Sequence, residues 1–285
     1  MDRWLRRVVV MAGLTGMVPG IAAAEPGQRH RELVPAGDAE IDTVVEGNGP
    51  LVVMLPSRGR DSEDYDEVAA AIAARGFRVL RPQPRGILGS TGPMHGLTLH
   101  DYARDVAAVV EAQHDGPAVI VGHAYGNWVA RMAAVDHPPL VRGVVLAAAA
   151  AKRYPPELSA AVTRSADPAV PEAERRRCLE QAFFAKGHDP SAWLNGWHPE
   201  ASRSQDEAAR RTPQSAWWSG GDVPLLDLQA GEDPFKPEAS RNELKEEFGD
   251  RVTIVVVPRA SHALLPEAPG PVADAIVAWV RRLPP

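Results

Sequence analysis

Short apolar runs of strand length recur along this chain and alternate with segments of helical period. The runs Leu51 to Leu55, Pro117 to Val121 and Val141 to Leu146 have the length and composition of strands that are buried on both faces. The segment from about Thr98 to Gln113 repeats its apolar residues at helical spacing, as an amphipathic helix does. Strands that alternate with helices predict an α/β fold, in which helices cover both faces of a mostly parallel central sheet.

The N-terminal residues follow a different pattern. Three arginines within the first seven residues precede the apolar run Val8 to Val18, and the small-residue stretch Ala22 to Ala24 follows it. A basic region, a short apolar core and an A-x-A site are the parts of a secretory signal. The run is too short to favour the rival interpretation, a retained membrane anchor. We therefore expect residues 1–24 to be a signal peptide and the protein to be periplasmic or secreted.

The mature chain is predicted to consist of a core with one insertion. Residues 25–40 read as a polar lead-in, and a first strand is expected near Ile41 to Glu46. Residues 152–221 are rich in Ala, Arg, Pro and Trp and predict a helical cap. The core is then formed by residues 25–151 and 222–285.

Charge and composition narrow the expected partners. The formal net charge is −6, and no basic stripe with interleaved aromatic residues is present, so nucleic acid is not an expected partner. Cys178 is the single cysteine, which excludes an intramolecular disulfide and favours a structural role. No histidine pair has metal-ligand spacing, so neither a metal nor a cofactor is predicted. The expected partner is a small molecule, with no stable membrane span after signal cleavage; the sequence gives no indication of oligomeric state.

A tight turn joins the strand that ends at Val121 to the next helix. Its sequence is Gly122-His123-Ala124-Tyr125-Gly126. Its two glycines have the spacing of the G-x-S-x-G pattern of a nucleophile elbow, in which small flanking residues let strand and helix approach closely. Here the central residue is alanine, which carries no hydroxyl to attack a carbonyl.

The chain resembles the α/β-hydrolase superfamily at this turn and at further landmarks in family order. Leu55-Pro56-Ser57-Arg58 stands where the family has its oxyanion loop, with Pro56-Ser57 in place of the usual His-Gly. Arg85 to Ser90 looks like the family's R-G-x-G-x-S loop, with Leu88 in one glycine position. The loops Gly231 to Phe235 and Ala260 to Ala263 look like the acid and histidine loops.

The resemblance implies roles for two further side chains. Asp233 is expected to be the orienting acid and His262 the base, because a carboxylate on one ring nitrogen fixes the tautomer and stabilises the imidazolium. Glu232 and Asp227 are weaker candidates for the acid. The structural alternative is that Asp233 caps the following helix and that His262 is an ordinary loop residue.

Ala124 excludes a conventional acyl-enzyme at this position and leaves three explanations open. The alanine replaces a serine by engineering, or a natural enzyme uses Asp233 and His262 without a covalent intermediate, or a non-catalytic protein binds a small apolar ligand. In the second case His262 activates water, or abstracts a substrate proton in a lyase-like, decarboxylating or cofactor-independent oxygenase reaction. The backbone N–H groups of Arg58 and Tyr125 are the expected oxyanion donors.

Several other residues are expected near the site. Ser57 is an alternative nucleophile in the oxyanion loop, His123 is expected to pack and to form hydrogen bonds, and the phenol of Tyr125 either contacts substrate or lines the wall. Trp128 is expected to pack beneath the helix. The cap segment also carries Phe183 and Phe184, and at least two of its large aromatics are expected to face the ligand. The cap residues assigned to the pocket are Trp193, Trp197, Trp217 and Trp218.

Overall fold

The computed structural model describes residues 27–284, so the signal peptide predicted over residues 1–24 lies outside the described residues. Within that range the chain forms one sheet of eight strands, which are β1 (His30–Ala36), β2 (Ala39–Gly47), β3 (Leu51–Leu55), β4 (Arg78–Pro82), β5 (Ala118–His123), β6 (Val141–Ala147), β7 (Leu225–Ala230) and β8 (Val252–Val257). Their spatial order is β1-β2-β4-β3-β5-β6-β7-β8.

The helices of the same range connect these strands. The α-helices are α1 (Asp66–Ala73), α2 (Leu99–Gln113), α3 (Gly126–Asp136), α4 (Pro156–Ser165), α5 (Glu172–Ala182), α6 (Pro199–Arg211), α7 (Gln214–Trp217), α8 (Glu243–Phe248), α9 (Leu264–Glu267) and α10 (Pro269–Val280). Short 3₁₀ helices occupy Ser62–Tyr65, Pro138–Leu140, Ser191–Leu194, Glu238–Ser240 and Gly249–Arg251. No helix of this range is long and apolar enough to cross a membrane.

The sheet is parallel from β4 through β8 in spatial order, and its other edge is antiparallel. The predicted α/β class is therefore confirmed. The predicted polar lead-in over 25–40 is wrong, because β1 lies within it and pairs with β2 from His30 opposite Val45 to Ala36 opposite Ala39. β1 is an edge strand that buries few side chains. Backbone hydrogen bonds to β2 hold it in the sheet, and a pattern of apolar residues does not report such bonds.

Two apolar layers sandwich the sheet, as the alternation of side chains along each strand requires. On β3, Val53 and Leu55 face the layer formed with α2 and α3. Val52 and Met54 face the opposite layer, which contains α1 and α10. Every residue of β3 is buried, and the strand lies in the interior of the sheet between β4 and β5.

The predicted cap segment contains α4 to α7. Helices α4 and α5 pack on each other around a third apolar cluster, which includes Leu158, Leu179 and Phe183. Phe235 and Ala263 from the core belong to the same cluster. Apolar contact between cap and core therefore occurs beside the loops that follow β7 and β8, and a second contact is made by Ala208, Trp217 and Trp218 of the cap, which join the layer formed with α2 and α3.

Candidate active site

The turn between β5 and α3 is as tight as its two glycines allow. A Cβ on Gly122 would lie 2.4 Å from the Cα of Asn127, and one on Gly126 would lie 2.5 Å from the carbonyl oxygen of Leu55. Between them Ala124 has a φ of 48°, a left-handed conformation that is strained for a residue with a Cβ. The turn therefore has the backbone of a nucleophile elbow, with a methyl group at its apex.

Asp233 and His262 form a buried hydrogen-bonded pair. His262 Nδ1 lies 2.9 Å from Asp233 Oδ2, and both side chains are more than nine-tenths buried. The other carboxylate oxygen, Oδ1, accepts a bond of 2.8 Å from the backbone N–H of Phe235. With Nδ1–H donating to the carboxylate, the tautomer is fixed and Nε2 carries the lone pair.

Aromatic rings hold the imidazole of His262 in place. Phe235 stacks on it with ring centroids 4.1 Å apart, and Phe183 lies at 5.6 Å. The backbone N–H of Ala263 donates to the carbonyl of Phe183 over 2.7 Å. Glu267 accepts from the backbone N–H of Ser261 over 2.6 Å, so the loop is fixed on both sides of the histidine.

A hydrogen-bonded chain joins the loop after β3 to the loop of His262. The backbone N–H of Ser57 donates to Tyr65 Oη over 3.0 Å, and Tyr65 Oη lies 2.8 Å from His123 Nδ1. His123 Nε2 lies 2.6 Å from the carbonyl oxygen of His262, so Nε2 carries the proton and Nδ1 accepts from the phenol. Burial, and secondarily the nearby His262, lowers the pKa of His123 to about 3, in agreement with a neutral ring.

The backbone amides of Arg58 and Tyr125 are available to a ligand. Within the described residues neither N–H donates to a protein acceptor, and both residues line the same cavity as Ala124 and His262. The phenol oxygen of Tyr125 is also buried without a partner among those residues, and burial raises the pKa of this phenol well above its usual value. Amide donors of this kind stabilise an oxyanion without help from a serine side chain.

The cavity has a volume of about 400 Å³ and lies between core and cap. From the core it is lined by Arg58, Ala124, Tyr125, Trp128, Phe235 and His262. From the cap segment come Lys152, Tyr154, Ser159, Val162, Asp206 and Arg210, together with Thr212, Gln214 and Trp217. A space of this size fits a small organic ligand.

The structure corrects several predicted positions around this cavity. Trp217 lines it, but Trp193, Trp197 and Trp218 do not. Trp193 and Trp197 turn away because their rings pack against the Arg60 guanidinium, at 4.7 and 4.9 Å.

Two more tryptophans differ from the sequence-based expectation. Trp218 donates to Glu247 over 2.8 Å and packs over Arg131, which holds its ring on the far side of Trp217. Trp128 was expected to pack beneath the helix, but it lines the cavity and stacks on Trp217 at 5.2 Å.

The remaining candidates lie behind the wall or away from it. Ser57 and His123 are buried and do not line the cavity. Asp227 pairs with Lys236 over 3.0 Å in the core, and Cys178 belongs to the apolar cap cluster. Within residues 27–284, no group of three or more His, Cys, Asp or Glu side chains is arranged to hold a metal ion.

Sequence reasoning missed Tyr65 and Glu267, and it did not place Phe183 and Phe235 against the imidazole. Tyr65 and His123 are 58 positions apart, so no local pattern connects them. From the sequence alone, Tyr65 resembles any aromatic residue that packs in a core. Phe235 could have been predicted near the imidazole, because it follows Asp233 by two residues in the acid loop.

Comparison with known proteins identifies a matching family and several relatives. The alpha/beta hydrolase family matches residues 52–275. The pyrethroid hydrolase of Sphingobium wenxiniae is 26% identical over 230 residues, which are 74% of this chain and 81% of that protein. The carbendazim hydrolyzing esterase of a Nocardioides species is 34% identical over 110 residues, but these are 34% of this chain and less than half, 45%, of the esterase.

A solved structure shows the same fold. The crystal structure of E-2-(acetamidomethylene)succinate hydrolase superposes with a TM-score of 0.73 at 19% identity, covering 89% of this chain and 100% of that one. At this identity the likeness concerns the fold alone.

Proposed function

The chain belongs to the alpha/beta hydrolase family, and on that premise we propose that it acts on a small organic ester, lactone or carbonyl compound through Asp233 and His262. Ala124 takes the nucleophile position in this proposal, so no acyl-enzyme forms there. The carrying observation is the buried bond of 2.9 Å between His262 Nδ1 and Asp233, on a ring that lines the cavity beside Ala124.

Water replaces the serine hydroxyl in the proposed hydrolysis. His262 Nε2 accepts a proton from a water molecule whose oxygen attacks the carbonyl carbon. The oxyanion that forms accepts hydrogen bonds from the N–H groups of Arg58 and Tyr125. When the tetrahedral intermediate collapses, the bond to the leaving alkoxide breaks and the alkoxide takes the proton from His262, which gives an acid and an alcohol.

Relatives support the reaction class but not this mechanism. Two of them bear the names of a hydrolase and an esterase, so hydrolysis of small organic compounds is the reaction that the family context favours. The absence of a hydroxyl at residue 124 favours the second candidate, a non-catalytic protein that binds a small apolar ligand in the same cavity.

Substitution of the dyad distinguishes the two candidates. We expect His262→Ala to lower the hydrolysis of 4-nitrophenyl acetate or of a small lactone by about 10²–10⁴-fold, the usual contribution of a general base, and Asp233→Asn to lower it in the same direction. The unaltered protein should resist fluorophosphonate reagents. His100→Ala is the matched control because His100 is half exposed on α2 and bonds to Asp136, outside the cavity. Saturable binding without turnover would favour the binding protein, whereas turnover unchanged in His262→Ala would overturn the dyad mechanism.

A further inference from the structure

The charges that line the cavity differ in sign from the charge of the whole chain. The chain has 31 Lys and Arg residues against 37 Asp and Glu residues. Among the described residues that line the cavity, the bases are Arg58, Lys152 and Arg210, and the single carboxylate is that of Asp206. A local excess of positive charge within an acidic protein attracts anions to that place.

Two of these bases share one carboxylate. Arg58 Nη1 lies 2.9 Å from Asp206 Oδ1, and Arg210 contacts the other oxygen, Oδ2. One negative charge therefore faces two guanidinium groups, and one positive charge stays uncompensated at this point. Lys152 contributes less, because Glu247 pairs with its Nζ over 3.0 Å.

Arg58 keeps hydrogen-bonding capacity for a ligand. Its guanidinium has five N–H donors, and its second protein contact is a bond of 3.1 Å to Thr163 Oγ1. Its Nε is buried without a partner among the described residues. The same residue contributes its backbone amide to the cavity, so an anionic group bound by the side chain would sit close to the proposed reaction centre.

The rest of the wall suits an apolar body. Trp128 from the core stacks on Trp217 from the cap at 5.2 Å, and Phe235 lies on the far side against His262. A ligand with a short apolar or aromatic part and one acidic group would place each part against a matching surface.

We propose that this cavity selects small carboxylates, with Arg58 and Arg210 as the anion-binding residues, so that the substrate is an ester, lactone or carbonyl compound that also carries an acidic group. This inference rests on the proposed function for its claim about the substrate. The binding preference itself is independent of turnover, so the failure of the dyad mechanism and the failure of anion selection are separate results.

Calorimetric titration with phenylacetate and with phenylacetamide tests the preference directly, because the two probes have nearly the same shape and differ in charge. Hydrogen bonds to a charged partner are worth enough that we expect phenylacetate to bind roughly 10- to 100-fold more tightly at low ionic strength. The difference should shrink at high ionic strength, as screening of partly exposed charges requires.

Neighbouring arginines on α6 supply a matched pair of variants. Arg210→Gln should weaken phenylacetate binding by about 5- to 10-fold and leave phenylacetamide unchanged. Arg211→Gln makes the same change in net charge, but Arg211 pairs with Glu207 over 2.7 Å and does not line the cavity, so binding should stay within about twofold.

Asp206→Asn gives the opposite expectation, because it removes the competing carboxylate and should tighten phenylacetate binding. General damage to the cap would weaken binding in both Arg210→Gln and Asp206→Asn, so opposite shifts exclude that explanation. Equal affinity for the two probes, failure of both to bind, or an Arg211→Gln effect as large as that of Arg210→Gln would overturn the proposal.

Discussion

Replacing Tyr65 with phenylalanine removes one hydroxyl and leaves two buried groups without partners. The backbone N–H of Ser57 loses an acceptor at 3.0 Å, and His123 Nδ1 loses a donor at 2.8 Å. Tyr65, Ser57 and His123 are each at most 2% exposed, so solvent does not reach these groups. An unsatisfied buried polar group costs about 1–3 kcal/mol, and two such groups predict a loss of about 2–6 kcal/mol in the free energy of unfolding.

Urea denaturation followed by circular dichroism measures this loss, provided that the m-value stays constant. Tyr102→Phe is the matched control, because Tyr102 is also buried but its hydroxyl makes a single bond of 2.9 Å to Ser204 Oγ. We expect the control to lose about 1 kcal/mol. Equal losses in the two variants would refute the reasoning that Tyr65 satisfies two groups at once.

Changes elsewhere in the site and core have equally definite expected outcomes. Ala124→Ser should raise hydrolysis of 4-nitrophenyl acetate by up to about 10⁶-fold, the cost of losing such a serine in a triad enzyme, and should create labelling by a fluorophosphonate; an unlabelled variant would show that His262 does not activate a hydroxyl at this turn. Because burial lowers the pKa of His123 from 6.5 to about 3, the unfolded state binds more protons between these values, so the stability that this group contributes is full above about pH 6.5 and is lost as the pH falls. That loss is on the order of 3 kcal/mol at pH 4, and urea titrations at several pH values should show a flatter dependence in His123→Gln. Lys236→Met should cost about 3–5 kcal/mol in thermal or urea denaturation, because it leaves the buried charge of Asp227 uncompensated; a neutral effect would mean that other groups already stabilise that carboxylate.

Local patterns predicted the parts of this molecule that depend on local chemistry. The apolar runs placed β3, β5 and β6 within a residue or two of their observed bounds. The acid and histidine loops were recognised separately, and the structure brings Asp233 and His262 to 2.9 Å. Such features were predictable because each requires particular residues at a fixed distance from the end of a strand.

Features that depend on packing between distant segments were not predictable. β1 exists because β2 offers it a hydrogen-bonding edge. Its side chains alternate in burial, but the hydropathy of its sequence does not follow that alternation, since Leu33 is on the exposed side. Nothing in the sequence distinguished Trp193 from Trp217. In the structure, the ring of Trp193 packs on the Arg60 guanidinium outside the cavity, whereas Trp217 stacks on Trp128 at the cavity wall. The direction in which a cap helix turns its rings is fixed by its partners, which the sequence alone does not identify.

The strained turn at Ala124 bears on the choice between a catalyst and a binding protein. In a serine enzyme this turn has two uses, since it exposes the hydroxyl and aims the next backbone N–H at the oxyanion. Alanine removes the first use and leaves the second, because the close contact of Gly126 with the carbonyl of Leu55 sets the position of the Tyr125 amide regardless of the side chain at residue 124. A left-handed alanine costs about 1–2 kcal/mol, and the close packing of Gly122 and Gly126 imposes this conformation on residue 124 in either case. The turn therefore keeps a backbone amide that can donate to negative charge on oxygen whether the protein is a catalyst or a binder, and the choice between hydrolysis and binding depends on whether His262 delivers a water to the same point.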